Sequence, residues 1–288
     1  MPYFKTSNNI AIHYQEYGDL NNPPIILIHG LASNLEIWQP QIVELKEHYR
    51  VYALDLPGHG KSGRMETYNV HDIPQMMFEF IQVMQLEKVR LMGLSIGSTI
   101  SLLFALTYPE LTDCLVLQGP SGGLESFSSP KGWMSYLQLT LTLKAVLLMW
   151  ALLGRKTSGK IINFFGKTYQ YSTLLIGMEE EVDSKALTGY AYSNQNAPYQ
   201  GRLDKITIPI LIIRGLDDQF ARSYSQYIKE NVKGPCYWLE VPLTEHLVGL
   251  EKPVEFNMAS TAFLKKVQKV DSATIIKAAE HSKGLFKW

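Results

Sequence analysis

The sequence predicts an α/β fold, in which a mostly parallel sheet is flanked by helices and interrupted by one helical insert. Short apolar runs, such as 25–28 and 210–213, are typical of strands buried on both faces. They alternate with segments of helical periodicity, which favours βαβ units. From about residue 121 to 201 the alternation stops and the pattern becomes helical.

The elements follow in order from a predicted hairpin at the N-terminus, with strands at 3–6 and 10–16. Further strands are predicted at 25–28, 51–54, 89–92, 115–117, 209–213 and 237–241, and helices at 36–49, 70–85, 96–108, 223–232 and 253–267. We therefore expect a core formed by residues 1–120 and 202–268, a helical lid at 121–201, and a C-terminal tail at 269–288 with some helical character.

The composition of the chain limits the classes of function that it can have. The chain has 288 residues, 46% hydrophobic and 19% charged, which is typical of a globular protein. Lys+Arg and Asp+Glu both count 27, so there is no overall positive field to attract nucleic acid. Cys114 and Cys236 form no disulfide framework or metal spacing, and the first residues lack a secretory pattern. These features predict a cytoplasmic protein.

One long apolar segment, 133–153, is long enough to cross a bilayer but carries Lys144 near its middle. The composition favours a buried or substrate-facing helix. Contact with a membrane surface is a less favoured alternative.

The strongest chemical signal is the run Gly93-Leu94-Ser95-Ile96-Gly97. It directly follows a predicted strand and precedes a predicted helix, which is the context of a nucleophile elbow. Glycines are needed on both sides because the turn is tight. Ser95 would then project above the sheet at a helix N-terminus, where negative charge is favoured.

A serine nucleophile needs a histidine base held by an acid, in the chain order Ser, Asp or Glu, His. Asp217 and Asp218 follow one later strand, and His246 follows the next. Since functional sites form at the carboxyl ends of parallel strands, these residues are candidates for one site with Ser95.

Three further features accompany the elbow: His29-Gly30 with Trp38 downstream, the loop Asp55-Leu56-Pro57-Gly58-His59-Gly60-Lys61-Ser62, and His246 with Leu250-Glu251-Lys252-Pro253. Together the four resemble the α/β-hydrolase superfamily, and in particular its lid-bearing branch of serine esterases and C–C hydrolases. The resemblance covers residues 1 to about 268 and is weakest in the insert.

The resemblance implies an eight-stranded sheet and a Ser95, Asp218 and His246 triad. The family's acid usually stands three residues after the glycine, which selects Asp218 and leaves Asp217 as the alternative. The oxyanion hole would be the backbone N–H of Ile96, after the nucleophile, and by resemblance that of Leu31.

We therefore expect a carboxylic ester hydrolase for a small to medium apolar acyl substrate, without cofactor or metal. The other histidines match no metal spacing. Two alternatives stay open. One is a C–C bond hydrolase of a keto acid, whose carboxylate Arg155 or Arg202 would hold. The other is a low-turnover small-molecule receptor on the same fold.

Overall fold

A computed structural model of the chain describes residues 2–122, 130–154, 157, 178, 181–195 and 199–268. In chain order the strands are β1 (Tyr3–Lys5), β2 (Ala11–Tyr17), β3 (Pro24–Ile28), β4 (Arg50–Leu54), β5 (Val89–Leu94), β6 (Thr112–Gln118), β7 (Ile210–Gly215) and β8 (Cys236–Val241). The helices are α1 (Gln39–Leu45), α2 (Ile73–Val83), α3 (Ile96–Thr107), α4 (Pro130–Leu153), α5 (Ser184–Gln195), α6 (Gln219–Asn231), α7 (Val248–Glu251) and α8 (Pro253–Gln268).

The eight strands form one sheet in the order β1-β2-β4-β3-β5-β6-β7-β8. β2 alone runs opposite to the other strands of the sheet. It pairs antiparallel with β1, with which it forms the hairpin, and antiparallel with β4. All other pairs are parallel. The predicted fold class, a mostly parallel eight-stranded sheet flanked by helices, is confirmed.

Two apolar layers enclose the sheet. On one side, Phe80 of α2 and Phe104 of α3 pack over the strands. On the other, Trp38 and Phe256 of α8 do the same, with ring centroids 6.4 Å apart. The central strands carry apolar residues on both faces because each face meets a helical layer. The strand carboxyl ends are left free to carry loops.

The starts of α1 and α2 differ from the predicted ones, and proline accounts for both. In place of one helix at 36–49, a 3-10 turn at Leu35–Trp38 precedes α1. Pro40 takes the second position of α1, where a missing N–H costs nothing. Pro74 does the same in α2, which starts at Ile73 rather than at residue 70.

Within the predicted insert, the structure describes α4, α5 and a few flanking residues. Trp150 of α4 packs with Leu187 and Ala191 of α5. At its N-terminus α5 is tied to the core by the Asp183 N–H, which donates to the Gly58 carbonyl at 2.7 Å. The rest of the predicted lid, and the predicted tail at 269–288, lie outside the described residues. In the part of the chain that is described, no helix has the length and apolarity to cross a membrane.

Candidate active site

Ser95 occupies the sharp turn between β5 and α3, and its backbone is strained. Its φ of 55° and ψ of −115° lie outside the regions that L-residues ordinarily adopt. The Ser95 N–H donates to the Gln118 carbonyl at 2.9 Å, which fastens the turn to β6. The side chain therefore stands above the carboxyl edge of the sheet, at the N-terminus of α3.

Close packing explains the glycine on each side of this serine. A Cβ on Gly93 would collide with the backbone of Gly97. A Cβ on Gly97 would collide with the carbonyl of Ile28 in β3. Gly93 thus permits the tight turn, and Gly97 lets the first turn of α3 lie directly against the neighbouring strand.

Asp218 and His246 meet at the ends of adjacent strands, β7 and β8. His246 Nδ1 lies 2.7 Å from Asp218 Oδ2. The Nδ1 proton therefore donates to the carboxylate, and Nε2 keeps its lone pair. Asp218 is buried, whereas 32% of the His246 side chain is exposed. The neighbouring Asp217 is exposed and is not the carboxylate that contacts the imidazole.

The environment of Asp218 favours its charged form. Burial by itself raises the pKa of Asp218, but the hydrogen bond and charge of His246 lower it. The N–H of Ala221, which donates to Asp218 Oδ1 at 3.0 Å, lowers the pKa further. The guanidinium of Arg214 acts in the same direction. The result is a carboxyl whose pKa lies below its ordinary 3.8, so it is ionised at neutral pH.

The loop that carries His246 is held by the carboxylate of Glu251. Its Oε2 accepts from the Glu245 N–H at 3.0 Å, and its Oε1 accepts from the Leu247 N–H at 3.1 Å. The residues on both sides of His246 are therefore bound to one side chain at the end of α7. This fixes the position of the imidazole relative to β8.

The end of β6 connects the serine to the histidine. Gln118 accepts the Ser95 N–H through its carbonyl and donates from Nε2 to the His246 carbonyl at 3.2 Å. The next residue, Gly119, has a φ of 49°. A Cβ there would lie 3.0 Å from both Cε1 and Nδ1 of His246. The His246 imidazole therefore packs on Gly119, directly after Gln118, whose carbonyl accepts the Ser95 N–H.

The Ser95 hydroxyl points towards Ser121. Ser95 Oγ donates to Ser121 Oγ at 3.4 Å, and Asn194 Nδ2 of α5 donates to the same Ser121 oxygen at 3.0 Å. Among the described residues, Ser95 makes no hydrogen bond to His246. Helix α5 thus reaches Ser95 through a single bridging residue, Ser121.

The loop after β3 is fixed by His29. Its Nε2 accepts from the Leu56 N–H at 2.9 Å, so the proton is on Nδ1, which donates to the Gly30 carbonyl at 2.7 Å. Ser33 Oγ donates to the same carbonyl at 2.9 Å. Because a peptide group is planar and trans, holding the Gly30 carbonyl also sets the direction of the Leu31 N–H.

Burial keeps His29 neutral. It lowers the pKa of His29 well below 6.5, and the neighbouring His59 acts in the same direction. The neutral ring therefore serves to hold the loop after β3 in place. Within the described residues, neither the Leu31 nor the Ile96 N–H donates to another group. Both are therefore available for an anion.

A family model matches this arrangement. Residues 23–253 match the alpha/beta hydrolase fold. The chain belongs to this family.

Two relatives and one solved structure are similar to this chain over most of its length. The chain is 28% identical over 266 residues to (E)-2-((N-methylformamido)methylene)succinate hydrolase of Acinetobacter baylyi, which covers 90% of this chain and 96% of the relative. It is 27% identical over 285 residues to 2-hydroxy-6-oxo-6-(2'-aminophenyl)hexa-2,4-dienoic acid hydrolase of Metapseudomonas resinovorans, with coverage of 91% and 90%. A carboxylesterase structure from Nitrososphaera gargenis superimposes with a TM-score of 0.80 at 21% identity, covering 93% and 99%.

Several residues that position the candidate site of this α/β-hydrolase could not be predicted from the sequence. Ser121 and Asn194 belong to no motif, and only the fold brings them beside Ser95. Gln118 and Gly119 appear in the sequence merely as the end of a strand. Glu251 is part of the histidine motif, but its bonds to the flanking N–H groups could not be inferred from spacing. The described residues contain no group of His, Cys, Asp and Glu that could hold a metal ion.

Proposed function

We propose that this α/β-hydrolase cleaves carboxylic esters with small to medium apolar acyl groups. Ser95 is the nucleophile, His246 the general base, and Asp218 the carboxylate that orients the base. The observation that carries the proposal is the 2.7 Å pair of His246 Nδ1 and Asp218 Oδ2 at the sheet edge above which Ser95 projects. An ionised, buried carboxylate on Nδ1 leaves Nε2 as the basic nitrogen.

The first half of the reaction acylates Ser95. Its Oγ–H rotates from Ser121 towards His246 Nε2, which removes the proton as Oγ attacks the ester carbonyl carbon. The electron pair of the carbonyl double bond moves onto oxygen, and the resulting oxyanion accepts hydrogen bonds from the N–H groups of Leu31 and Ile96. When the intermediate collapses, the C–O bond to the alcohol breaks, and protonated His246 returns its proton to the departing alkoxide.

The second half returns the free enzyme. Water enters, His246 removes one of its protons, and the resulting hydroxide attacks the acyl carbon. The Ser95 Oγ–acyl bond then breaks, and His246 protonates Oγ. The products are a carboxylic acid and an alcohol, and no other reactant is consumed.

Apolar side chains around these groups support the choice of acyl chain. Leu31 packs against the cluster that contains Trp150, so the loop after β3, which carries Leu31, adjoins an apolar part of the insert. Phe220, more than half exposed, stands edge-on to the His246 ring with centroids 5.8 Å apart. An acyl chain attached to Ser95 would contact hydrocarbon on these sides, which favours apolar esters over charged substrates.

The test is hydrolysis of p-nitrophenyl esters, from acetate to palmitate, by the wild type and by Ser95→Ala. We expect the variant to lose about 10³-fold or more in kcat at the preferred chain length. Ser101→Ala is the matched control, because Ser101 lies on the same helix and donates only to the Gly97 carbonyl. It should retain wild-type activity. A fluorophosphonate should add one label to the wild type and none to Ser95→Ala.

Two results would reject the proposal. Equal ester hydrolysis by the wild type and Ser95→Ala would remove Ser95 from the mechanism. A wild type that takes the fluorophosphonate label but hydrolyses no ester would instead favour a C–C bond hydrolase. That alternative is then tested by the loss of ultraviolet absorbance of a 2-hydroxy-6-oxo-dienoate.

A further inference from the structure

Helix α4 exposes a row of large apolar side chains on one face. Their spacing of three, four, seven and four residues keeps them within about one-sixth of the helix circumference, at roughly 100° per residue. We call this row the outer stripe, and it consists of Met134, Leu137, Leu141, Leu148 and Leu152, which are between 40% and 72% exposed.

The opposite face of α4 already has its packing partners. Val146, Leu147 and Trp150 pack into the cluster with Leu187 of α5. Helix α4 is therefore apolar on two opposite faces, and among the described residues only the inner face has a packed apolar cluster. A helix with this pattern is typical of an environment that is apolar on both sides. The outer stripe has no role in the contact between α4 and α5.

The charge of the surrounding sequence is unbalanced. Helix α4 contains two cations, Lys131 and Lys144, and no Asp or Glu, whereas the whole chain has 27 residues of each sign. Lys144 is exposed. An exposed apolar stripe within a cationic, acid-free stretch is the combination that binds anionic lipid surfaces.

We propose that the outer stripe of α4 docks on the surface of a membrane that contains anionic lipids. A second copy of the chain is a poorer partner, because a two-fold contact through the stripe would bring Lys144 of both copies together. An anionic headgroup layer instead neutralises that charge while the acyl region receives the leucines. Since the chain as a whole has a formal net charge of +0, the attraction depends on the local charge of α4 and not on an overall positive field.

The helix lies along the surface and does not cross it. Lys144 stands within the exposed half of a 24-residue helix, and its ammonium reaches the headgroups while its methylene stem lies beside the stripe. Because the inner face of α4 belongs to the cluster that Leu31 contacts, about one helix diameter, roughly 10 Å, would separate Leu31 from the lipid. Docking would bring apolar esters held in the membrane close to Ser95.

The test measures co-sedimentation with sucrose-loaded vesicles of phosphatidylcholine, with and without about 30% phosphatidylglycerol. We expect the wild type to sediment with the anionic vesicles, at least about tenfold more than with neutral ones, and to be released by high salt. Ser95→Ala should bind like the wild type, because docking needs no catalysis. This variant separates the docking proposal from the proposed function.

The decisive variant is Leu141→Gln/Leu148→Gln/Leu152→Gln. The matched control is Val254→Gln/Met258→Gln, which replaces two exposed apolar residues of α8 outside the outer stripe. We expect the stripe variant to bind anionic vesicles about tenfold or more weakly and the control to bind within about twofold of the wild type. Far-UV circular dichroism and hydrolysis of a short soluble ester should be unchanged in both variants.

Three outcomes would overturn the proposal. The first is a wild type that does not sediment with anionic vesicles at low salt. The second is a stripe variant that binds as well as the wild type. The third is a wild type that elutes as a dimer and a stripe variant that elutes as a monomer, which would assign the stripe to a second copy.

Discussion

Asp218 divides its two oxygens between two tasks. Oδ1 caps α6 by accepting the Ala221 N–H at 3.0 Å, and Oδ2 holds His246 Nδ1 at 2.7 Å. The capping bond fixes the direction of the carboxylate, and therefore the plane of the imidazole. A change that keeps the shape but removes the charge would retain the cap and lose the favoured tautomer.

Asp218→Asn should accordingly lower kcat on the preferred ester by about 10³ to 10⁴-fold, because the amide can donate to Nδ1 and stabilises the wrong tautomer. Asp217→Asn is the matched control, since Asp217 is the exposed neighbour. It should stay within about twofold of the wild type. The measurement is kcat and KM for both variants, with thermal unfolding to confirm that both are folded. The reverse order of losses would make Asp217 the acid.

Some residues of the candidate site could be predicted from the sequence, and others could not. The elbow and the strand-end residues Asp218 and His246 could be predicted, because each follows a strand whose apolar run is visible in the sequence. Ser121 and Asn194 could not, because they are 73 positions apart and meet only through the docking of α5. Gly119 gave no sequence signal, since its requirement comes from the imidazole packed on it.

Helix α5 depends on Asp183, which precedes its first residue. Asp183 Oδ1 accepts the Lys185 N–H at 2.9 Å, and Oδ2 accepts the Tyr68 hydroxyl at 2.9 Å. The same side chain thus caps α5 and joins it to the core. Because Asn194 lies on this helix, a loosened N-terminus also disturbs the residue that bonds Ser121.

Asp183→Ala should destabilise α5 by about 1–2 kcal/mol, the usual cost of losing an N-cap. If α5 opens locally, its amides should then exchange about 5 to 30-fold faster, which hydrogen exchange with mass spectrometry can measure. Asp183→Asn is the control, because an amide oxygen still caps the helix. Unchanged exchange in Asp183→Ala would show that other contacts, such as Ser193 with Val70, hold the helix.

Helix boundaries were harder to predict than the presence of each helix. Helix α6 begins at Gln219, four residues before the predicted start, because Asp218 serves as its cap. Its first turn carries only Phe220 and Ala221 as apolar residues, and Phe220 is exposed, so the apolar pattern does not reveal it. The strands were predicted within a few residues, since burial on both faces gives a continuous apolar run.

Over the whole molecule, buried histidines near the sheet edge make stability depend on pH. Burial lowers the pKa of His59 from 6.5 to about 4, only partly opposed by the Pro57 carbonyl and the charge of Asp183. Its ring contacts those of His29 and Tyr190, with centroids 5.1 Å and 5.8 Å away, and in the described part of the chain Nε2 has no hydrogen-bond partner. A proton on this ring would be both buried and unpaired.

The sign of the effect follows from the direction of the shift. In the unfolded chain His59 takes up a proton near pH 6.5, whereas in the folded protein it does so only near pH 4. Its contribution to stability is therefore fully present above pH 6.5 and is lost as the pH falls towards 4. A shift of about 2.5 pKa units corresponds to about 3 kcal/mol.

We therefore expect His59→Gln to flatten the pH dependence of the unfolding free energy by about 3 kcal/mol between pH 7 and pH 4, whatever it costs at pH 7. Urea unfolding followed by tryptophan fluorescence at several pH values measures this slope. His71→Gln, at an exposed position, should keep the wild-type slope. Since burial also lowers the pKa of His29, some slope should remain in His59→Gln. A slope equal to that of the wild type would mean that the interior around His59 accepts a proton readily, and that the sheet edge is wetter than its burial indicates.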